Sequence, residues 1–436
     1  IEGFNMGALA GHLAHLQENL DFTFAELKSI LGDVTSGDMS VVEKVDGQNI
    51  FFAFKVDPET GTIRTARNKG DLLKGGMTPD EFTAKWQGHP AQDAFMNGFQ
   101  AIESALGKMS QADLTSIFEA SDGNSRFINA EIVYTGNPNV INYGGDYIVM
   151  HNLQEFAAEG KLVDIQLSGD DFSQLVQAVE DAQAAADEEE WQVIGPQVIK
   201  LKDMSTTDVL NNLVSGVDAL GVTDDMTLGD FVEQKLRLGP VGDLPVPVHA
   251  QESIIKRIVG LGSGSDPKSL PQLSDLKKGF PKETQQRISA LGTQANSAKV
   301  ISTILAPVEL VIHNLAVEVL RDVSSALTGG HDEEIERLRK ELESAKEKIE
   351  SATDSKSDAR RQMLKKQLGK LGSSENIASS VEGIVFEHPP GSKALYKLTG
   401  AFAPLNQIIG GAMRIPKEKN EALVREYVRE FIGGSF

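Results

Sequence analysis

The sequence predicts an α+β fold: an antiparallel sheet, then a large, mainly helical segment, then a return to strand near the end. Three observations carry this. Apolar runs at 50–54, 127–133 and 147–150 are bounded by turn residues and read as strands. Between about 206 and 320 apolar residues recur at helical spacing. A further apolar run at 384–386 opens after Glu382-Gly383 and reads as a buried strand. Mixed strands and helices with short connections fit an α+β domain around an antiparallel sheet.

Along the chain, 9–31 reads as a helix stopped by Gly32. Residues 41–56 read as a strand pair or a strand with a turn, and 61–66 as its return hairpin. Helices are expected at 79–106 and 111–120. The character changes near 155. An amphipathic helix at 170–189 ends in acids, 191–201 reads as a strand, and 206–320 is mostly helical with a loop at 262–267. Ile335, Leu338, Leu342, Ala345, Ile349 and Ala352 then alternate spacings of three and four, a short heptad run. Polar 353–358 can turn the chain, and Met363, Leu364, Leu368 and Leu371 can bring a second helix back. Residues 331–371 therefore read as a coiled-coil-like helical hairpin, or equally as two amphipathic helices packed on the body. A last helix is expected at 418–431. The resulting segments are 1–155, 156–330, 331–371, 372–405 and 406–436.

Bulk properties bound the function. A chain of 436 residues can form two or three domains. It has no cysteine, which excludes disulfides and Cys-ligated zinc. The longest apolar stretch, 304–320, is interrupted by Glu309, His313 and Glu318, so no membrane association is expected. No basic-flanked signal peptide is visible, and a cytoplasmic setting is expected. The net charge of -21 opposes nucleic-acid binding by the chain as a whole, although Lys55, Arg64, Arg67, Lys69 and Lys74 form a local basic group. His12 and His15 sit at i, i+3, but no third metal ligand lies nearby. A Gly-rich Walker loop is absent.

The most informative stretch is Glu43-Lys44-Val45-Asp46-Gly47-Gln48-Asn49, ahead of an apolar strand. A lysine amine becomes a nucleophile when burial or a second cation lowers its pKa and a carboxylate orients it. The bland alternative is a solvated β-turn with Asp-Gly at its tip. Downstream stand Ala66-Arg67-Asn68-Lys69-Gly70, Phe127-Ile128-Asn129-Ala130-Glu131-Ile132-Val133, Asp146-Tyr147-Ile148-Val149-Met150-His151, Val381-Glu382-Gly383-Ile384-Val385-Phe386 and Ala394-Leu395-Tyr396-Lys397-Leu398. In order and character these six blocks resemble those of the covalent nucleotidyltransferases: ATP-dependent DNA ligases, RNA ligases and mRNA capping enzymes. The phrases Asn139-Val140-Ile141-Asn142-Tyr143 and Lys397-Leu398-Thr399-Gly400-Ala401-Phe402 also resemble ligase-like proteins of large tailed phages.

The resemblance implies an adenylation domain made from 1–155 and 372–405, split by a helical insertion that would dock a protein partner or the substrate. It implies that Lys44 is the covalent nucleophile toward ATP, forming a lysyl–AMP, with Asp46 orienting it. Glu131 and Glu382 would hold Mg²⁺ or a ribose hydroxyl. Lys397 would touch the α-phosphate, Arg67 a phosphate or the reacting polynucleotide end, and Tyr147 the base. The last block departs from the family at Thr399, where a second lysine is usual. Lys200-Leu201-Lys202 has the expected Lys-x-Lys form but precedes Glu382. The function implied is ATP-dependent polynucleotide ligation, with RNA favoured over DNA because 402–436 is too short for an oligonucleotide-binding barrel. The setting implied is a host cytoplasm or a phage particle assembled there. Transfer of the nucleotide to another acceptor is a further possibility. The competing expectation is a catalytically degenerate phage structural or interaction protein.

Overall fold

The structure, a computed structural model, describes residues 13–56, 61–120, 123–136, 141, 143–166, 170–184, 191–196, 198–204, 208–323, 332–351, 358–371, 382–390, 392 and 394–413. The chain is α+β with antiparallel sheets. It opens with β1 (Ala14–His15) and a 3-10 turn at Leu16–Glu18. Helix α1 (Phe24–Thr35) starts at Thr23, whose hydroxyl accepts the Glu26 N–H while the Glu26 carboxylate accepts the Thr23 N–H. This capping box sets the start, so the helix expected over 9–31 begins later and runs past Gly32. His15 lies in β1 and not in the expected helix, and His12 falls outside the described residues.

Strands β2 (Ser40–Lys44), β3 (Gln48–Val56) and β4 (Gly61–Ala66) follow, with the anticipated turn and hairpin. Next come α2 (Lys69–Leu73), α3 (Pro79–Trp86), α4 (Gln92–Gly107) and α5 (Gln111–Phe118). The single helix expected over 79–106 is two, because Gly88 turns at φ +77° and Pro90 cannot continue the ladder. Strands β5 (Ser125–Val133), β6 (Tyr147–Phe156) and β7 (Leu162–Gln166) lead to α6 (Asp170–Ala184). The strand expected at 191–201 divides into β8 (Gln192–Ile194) and β9 (Val198–Lys200), which join different sheets.

Helices α7 (Val209–Asp218), α8 (Leu228–Leu238), α9 (Val248–Gly262), α10 (Leu273–Lys277), α11 (Lys282–Gly292), α12 (Gln294–Ile304) and α13 (Ala306–Val323) come next. Helices α14 (Asp332–Ser351) and α15 (Asp358–Leu371), strands β10 (Gly383–Glu387) and β11 (Leu395–Leu398), and α16 (Phe402–Met413) end the described chain. The helix expected at 418–431 lies outside it.

One sheet has the order β1-β11-β10-β2-β9, and the other β4-β3-β5-β6-β7 with β8 parallel to β6. The first draws strands from both ends of the sequence. Its Ile384, Phe386, Tyr396 and Leu398 share one core with α1 and α7–α13, through Leu27, Leu213, Phe231, Ile254 and Leu315. The helices of 209–323 therefore cover a face of this sheet, and β7, β8 and β9 add to the sheets from beyond the boundary expected at 155. The second sheet packs Phe52, Ile128 and Ile132 against α4–α6. Between the sheets lies a small cluster of Val45, Val133, Tyr143, Val149 and Phe402.

The heptad positions Ile335, Leu338, Leu342, Ala345 and Ile349 are all buried, together with Leu364 and Leu371 of α15 and Leu405, Ile408 and Ile409 of α16. The hairpin thus closes on a third helix, α16, which runs into the start of the segment 406–436 expected to be a helical tail. Among the described residues no single helix is long and apolar enough to cross a membrane. α12 and α13 reach that length only as a pair bent by 65°, and α13 buries Val308, Leu315 and Val319 in the core.

Candidate functional site

Lys44 ends β2 and pairs with Gly383, while Val42 pairs with Val385 and Val385 with Lys397. Residues directly opposite in a ladder point to one face, so Lys44 and Lys397 share the face of the first sheet that meets the second. Glu43 points by alternation to the helical face, where it is buried. Lys44 Nζ lies 2.5 Å from Glu382 Oε2, with both side chains largely shielded. This brings together residues of the first and fifth blocks.

Gly383 is required by close approach. A side-chain carbon there would stand 2.1 Å from the Leu398 carbonyl oxygen. Gly47 is similar: its added carbon would meet the Ile132 carbonyl oxygen at 2.6 Å and Glu131 Oε2 at 3.1 Å. The Lys-x-Asp-Gly turn thereby sits directly on the Glu131 carboxyl group.

Asp46 is buried, and its Oδ2 accepts the Ile141 N–H at 3.0 Å, while its own N–H donates to the Tyr143 hydroxyl at 2.7 Å. These bonds pin the turn after Lys44 to Ile141 and Tyr143. Burial and the Asp46 carboxylate push the Tyr143 phenol well up, which keeps it a neutral hydrogen-bonding partner.

The charges form one coupled group. Burial opposes the charge on Lys44, but Glu382, Glu131 and Asp46 together outweigh it and raise its pKa. Burial also raises Glu382, against the pull of Lys44. Lys397 is lowered, by burial first and then by Lys44. The lowered pKa expected of Lys44 as nucleophile is thus reversed, because Lys44 holds the nearest carboxylate; the lysine that is lowered is Lys397. Glu131 is pushed up to about 8, chiefly by burial, and its Oε2 is a buried atom with no hydrogen-bond partner.

Arg67 follows β4 and feels both Glu131 and Asp71, while burial lowers its pKa. Its guanidinium lies over Phe95, 4.6 Å from the ring centroid, and over Trp86 at 5.5 Å. Tyr147 is half-buried against the cluster between the sheets. Thr399, the departure from the family pattern, is buried, and Lys200 lies on the far edge strand β9.

Two residues quoted in the sequence blocks without a role also belong here. His151 is the extra residue of a β-bulge in β6, left between the pairs Asn129–Asn152 and Ala130–Met150. Burial, and then Lys44, push its pKa down to about 3, so it is neutral imidazole. Asn49 is the other: its Nδ2 donates to Asn129 Oδ1 at 2.6 Å across β3 and β5. The signal for Asn49 was its place at the end of the Lys44 block. None existed for His151, because a bulge is invisible in the pattern of side chains.

Among the described residues no group of three or more His, Asp or Glu is arranged to hold a metal. Glu131 and Glu382 remain the two carboxylates nearest Lys44, and an orphaned carboxylate oxygen suits a hard cation that takes its other ligands from phosphate and water. In comparison with known proteins, no family model, no curated protein and no solved structure matches the chain.

Proposed function

We propose that the chain is a covalent nucleotidyltransferase of the ligase type, an ATP-dependent polynucleotide ligase with RNA favoured over DNA as substrate. The observation that carries the reading is the 2.5 Å contact of Lys44 with Glu382, beside Glu131, Asp46 and Lys397. These residues come from blocks of the resembling family that lie in the first third and the last fifth of the sequence. The two-sheet arrangement with a polar seam is an adenylation domain in this reading.

Lys44 rests as an ammonium, held by Glu382. To act, it gives up a proton, for which the Glu382 carboxylate is the nearest acceptor. The neutral amine then forms a P–N bond to the α-phosphorus of ATP, and pyrophosphate leaves with the electrons of the broken P–O bond. Lys397 would supply positive charge to the phosphate oxygens. Asp46 keeps the turn rigid through Ile141 and Tyr143. Glu131 and Glu382 would hold Mg²⁺, which when bound offsets phosphate charge. In the ligation steps the nucleotide passes to a 5′-phosphate and is displaced by a 3′-hydroxyl.

The second reading is a catalytically degenerate ligase-like protein of a phage particle or complex. Thr399, the raised pKa of Lys44 and the net charge of -21 favour it. Incubation with α-³²P-ATP, and separately GTP, in Mg²⁺, followed by denaturing electrophoresis, separates the two. A labelled band lost in Lys44→Ala supports nucleotidyl transfer. A folded, nucleotide-free protein that takes no label supports the degenerate relative.

A further inference from the structure

Arg67 and Trp86 pose a question that the Lys44 chemistry does not answer. Arg67 Nη1 and Trp86 Nε1 are both buried atoms with no hydrogen-bond partner. They belong to one cluster, since the guanidinium carbon lies 5.5 Å from the Trp86 ring centroid and 4.6 Å from that of Phe95. The aromatic rings are held in turn: Trp86 packs on Phe95 at 4.2 Å between centroids and meets His89 edge-on at 4.7 Å.

One acid beside this cluster, Asp71, is already engaged. Asp71 Oδ2 accepts from Lys85 Nζ at 2.7 Å and from the Arg67 backbone N–H at 3.2 Å. Arg67 makes no ion pair among the described residues, although Glu131 and Asp71 both act on it at longer range. A buried donor left unmade costs more than a typical hydrogen bond contributes, so two of them in one cluster call for a shared acceptor. Aromatic faces fix the plane of a guanidinium but offer it no acceptor.

We propose that Arg67 Nη1 and the Trp86 indole N–H form a two-donor site for the oxygen atoms of a phosphate group, with Trp86 and Phe95 holding the guanidinium in position. The chemistry is that of charge-assisted bonds to an oxyanion, where a planar guanidinium donates in a fixed direction. The Lys85 ammonium lies over the same Trp86 ring, 5.8 Å from its centroid, with its charge paired to Asp71. Only the source of the phosphate rests on the nucleotidyltransferase reading: a nucleotide, or the 5′ end of a polynucleotide. Trp86 is a new element of this site, and Phe95 a positioning residue for Arg67.

The test uses the fact that the chain has two tryptophans. In Trp191→Phe, which keeps a ring against Tyr134, Trp86 becomes the sole indole, and its emission is followed during titration with inorganic pyrophosphate at constant ionic strength. A saturable change is expected, and adding Arg67→Gln should raise the Kd at least ten-fold. Calorimetry on Trp86→Phe, which keeps an aromatic face but loses the donor, should give a Kd about five-fold weaker, the size of one hydrogen bond. Circular dichroism checks that each variant is folded.

No saturable response, or an unchanged Kd in Trp86→Phe, overturns the site and leaves a trapped water as the shared acceptor. Displacement of pyrophosphate by ATP assigns the site to the nucleotide, and displacement by a 5′-phosphorylated oligoribonucleotide assigns it to the acceptor strand. Displacement by neither marks an adventitious ion only and overturns the proposal. Pyrophosphate binding without Lys44 labelling sinks the nucleotidyl-transfer reading alone. Labelling without pyrophosphate binding sinks this site alone.

Discussion

Lys44 and Gly383 face each other directly across the antiparallel pair of β2 and β10, so no side chain stands beside Lys44 at that register position. The same glycine lets β10 approach the Leu398 carbonyl of β11. Gly383→Ala should therefore push β10 and β11 apart and destabilise the protein by about 1–3 kcal/mol, the usual cost of overpacking. Urea denaturation measures the loss. Parent-like stability with parent-like labelling would show that the close approach has no energetic weight.

Removing Lys44 leaves Glu382 buried without its cation. A stranded buried charge costs about 3–5 kcal/mol, unless the group neutralises itself. In Lys44→Met the Glu382 pKa should rise further, which makes the carboxyl neutral at low pH and charged at high pH. The variant should therefore lose more stability at pH 8.5 than at pH 5.5, measured by chemical denaturation. Equal losses at both values would mean that the pair is solvated.

Glu131 supplies a pH dependence of its own. Its folded pKa, about 8, exceeds the ordinary value of 4.5, so between those values the folded state holds a proton that the unfolded state has lost. Stability from this group is present below about pH 4.5 and is lost as pH rises to about 8. Glu131→Gln should become progressively more stable than the parent across that window, by on the order of a few kcal/mol at its upper end. A pH-independent difference between the two would refute the assignment.

His151 works in the opposite direction. Its folded pKa, about 3, lies below the ordinary 6.5, so the unfolded chain takes up the proton first. The stability it contributes is present above pH 6.5 and falls away as pH drops toward 3. His151→Asn should flatten the acid limb of the stability profile. Imidazole resonances followed by NMR give the pKa directly, and a value near 6.5 would contradict the burial described.

The helical unit offers a separate test. Leu342 of α14 and Ile408 of α16 are both fully buried in one cluster. Leu342→Ala should cost about 2–5 kcal/mol locally. Hydrogen exchange should speed in 332–351, 358–371 and 402–413 together, with 48–56 and 125–133 left at parent rates. Release of α14 alone would argue against the three-helix cluster.

How much of this was legible in the sequence depends on where the determining contacts lie. Strands β3, β5 and β6 are long and apolar, and local pattern suffices for them. Lys44, Glu131, Glu382 and Lys397 stood out because each sits in a recognisable string. The start of α1 was legible in Thr23-Phe24-Ala25-Glu26 and the break before α4 in Gly88-His89-Pro90, but helical periodicity outweighed both signals. Strand β1 was not legible, and neither was the division of the strand read at 191–201 into β8 and β9. These three strands hold two or three residues each and exist only because a distant strand offers an edge. The direction of the Lys44 pKa was equally hidden, since it depends on a carboxylate brought from the far end of the sequence.

The make-up of the first sheet has a consequence for how the protein is born. β2 is translated early, yet both of its described functional neighbours on this face, Glu382 and Lys397, lie beyond residue 381. At ordinary synthesis rates the strand waits roughly tens of seconds for β10, its central edge unpaired. Until then Lys44 has Asp46 and Glu131 in the chain already made, but neither Glu382 nor Lys397. A nascent chain arrested before β10 would hold Lys44 without Glu382 or Lys397, so this charge cluster is complete only once translation has passed Lys397.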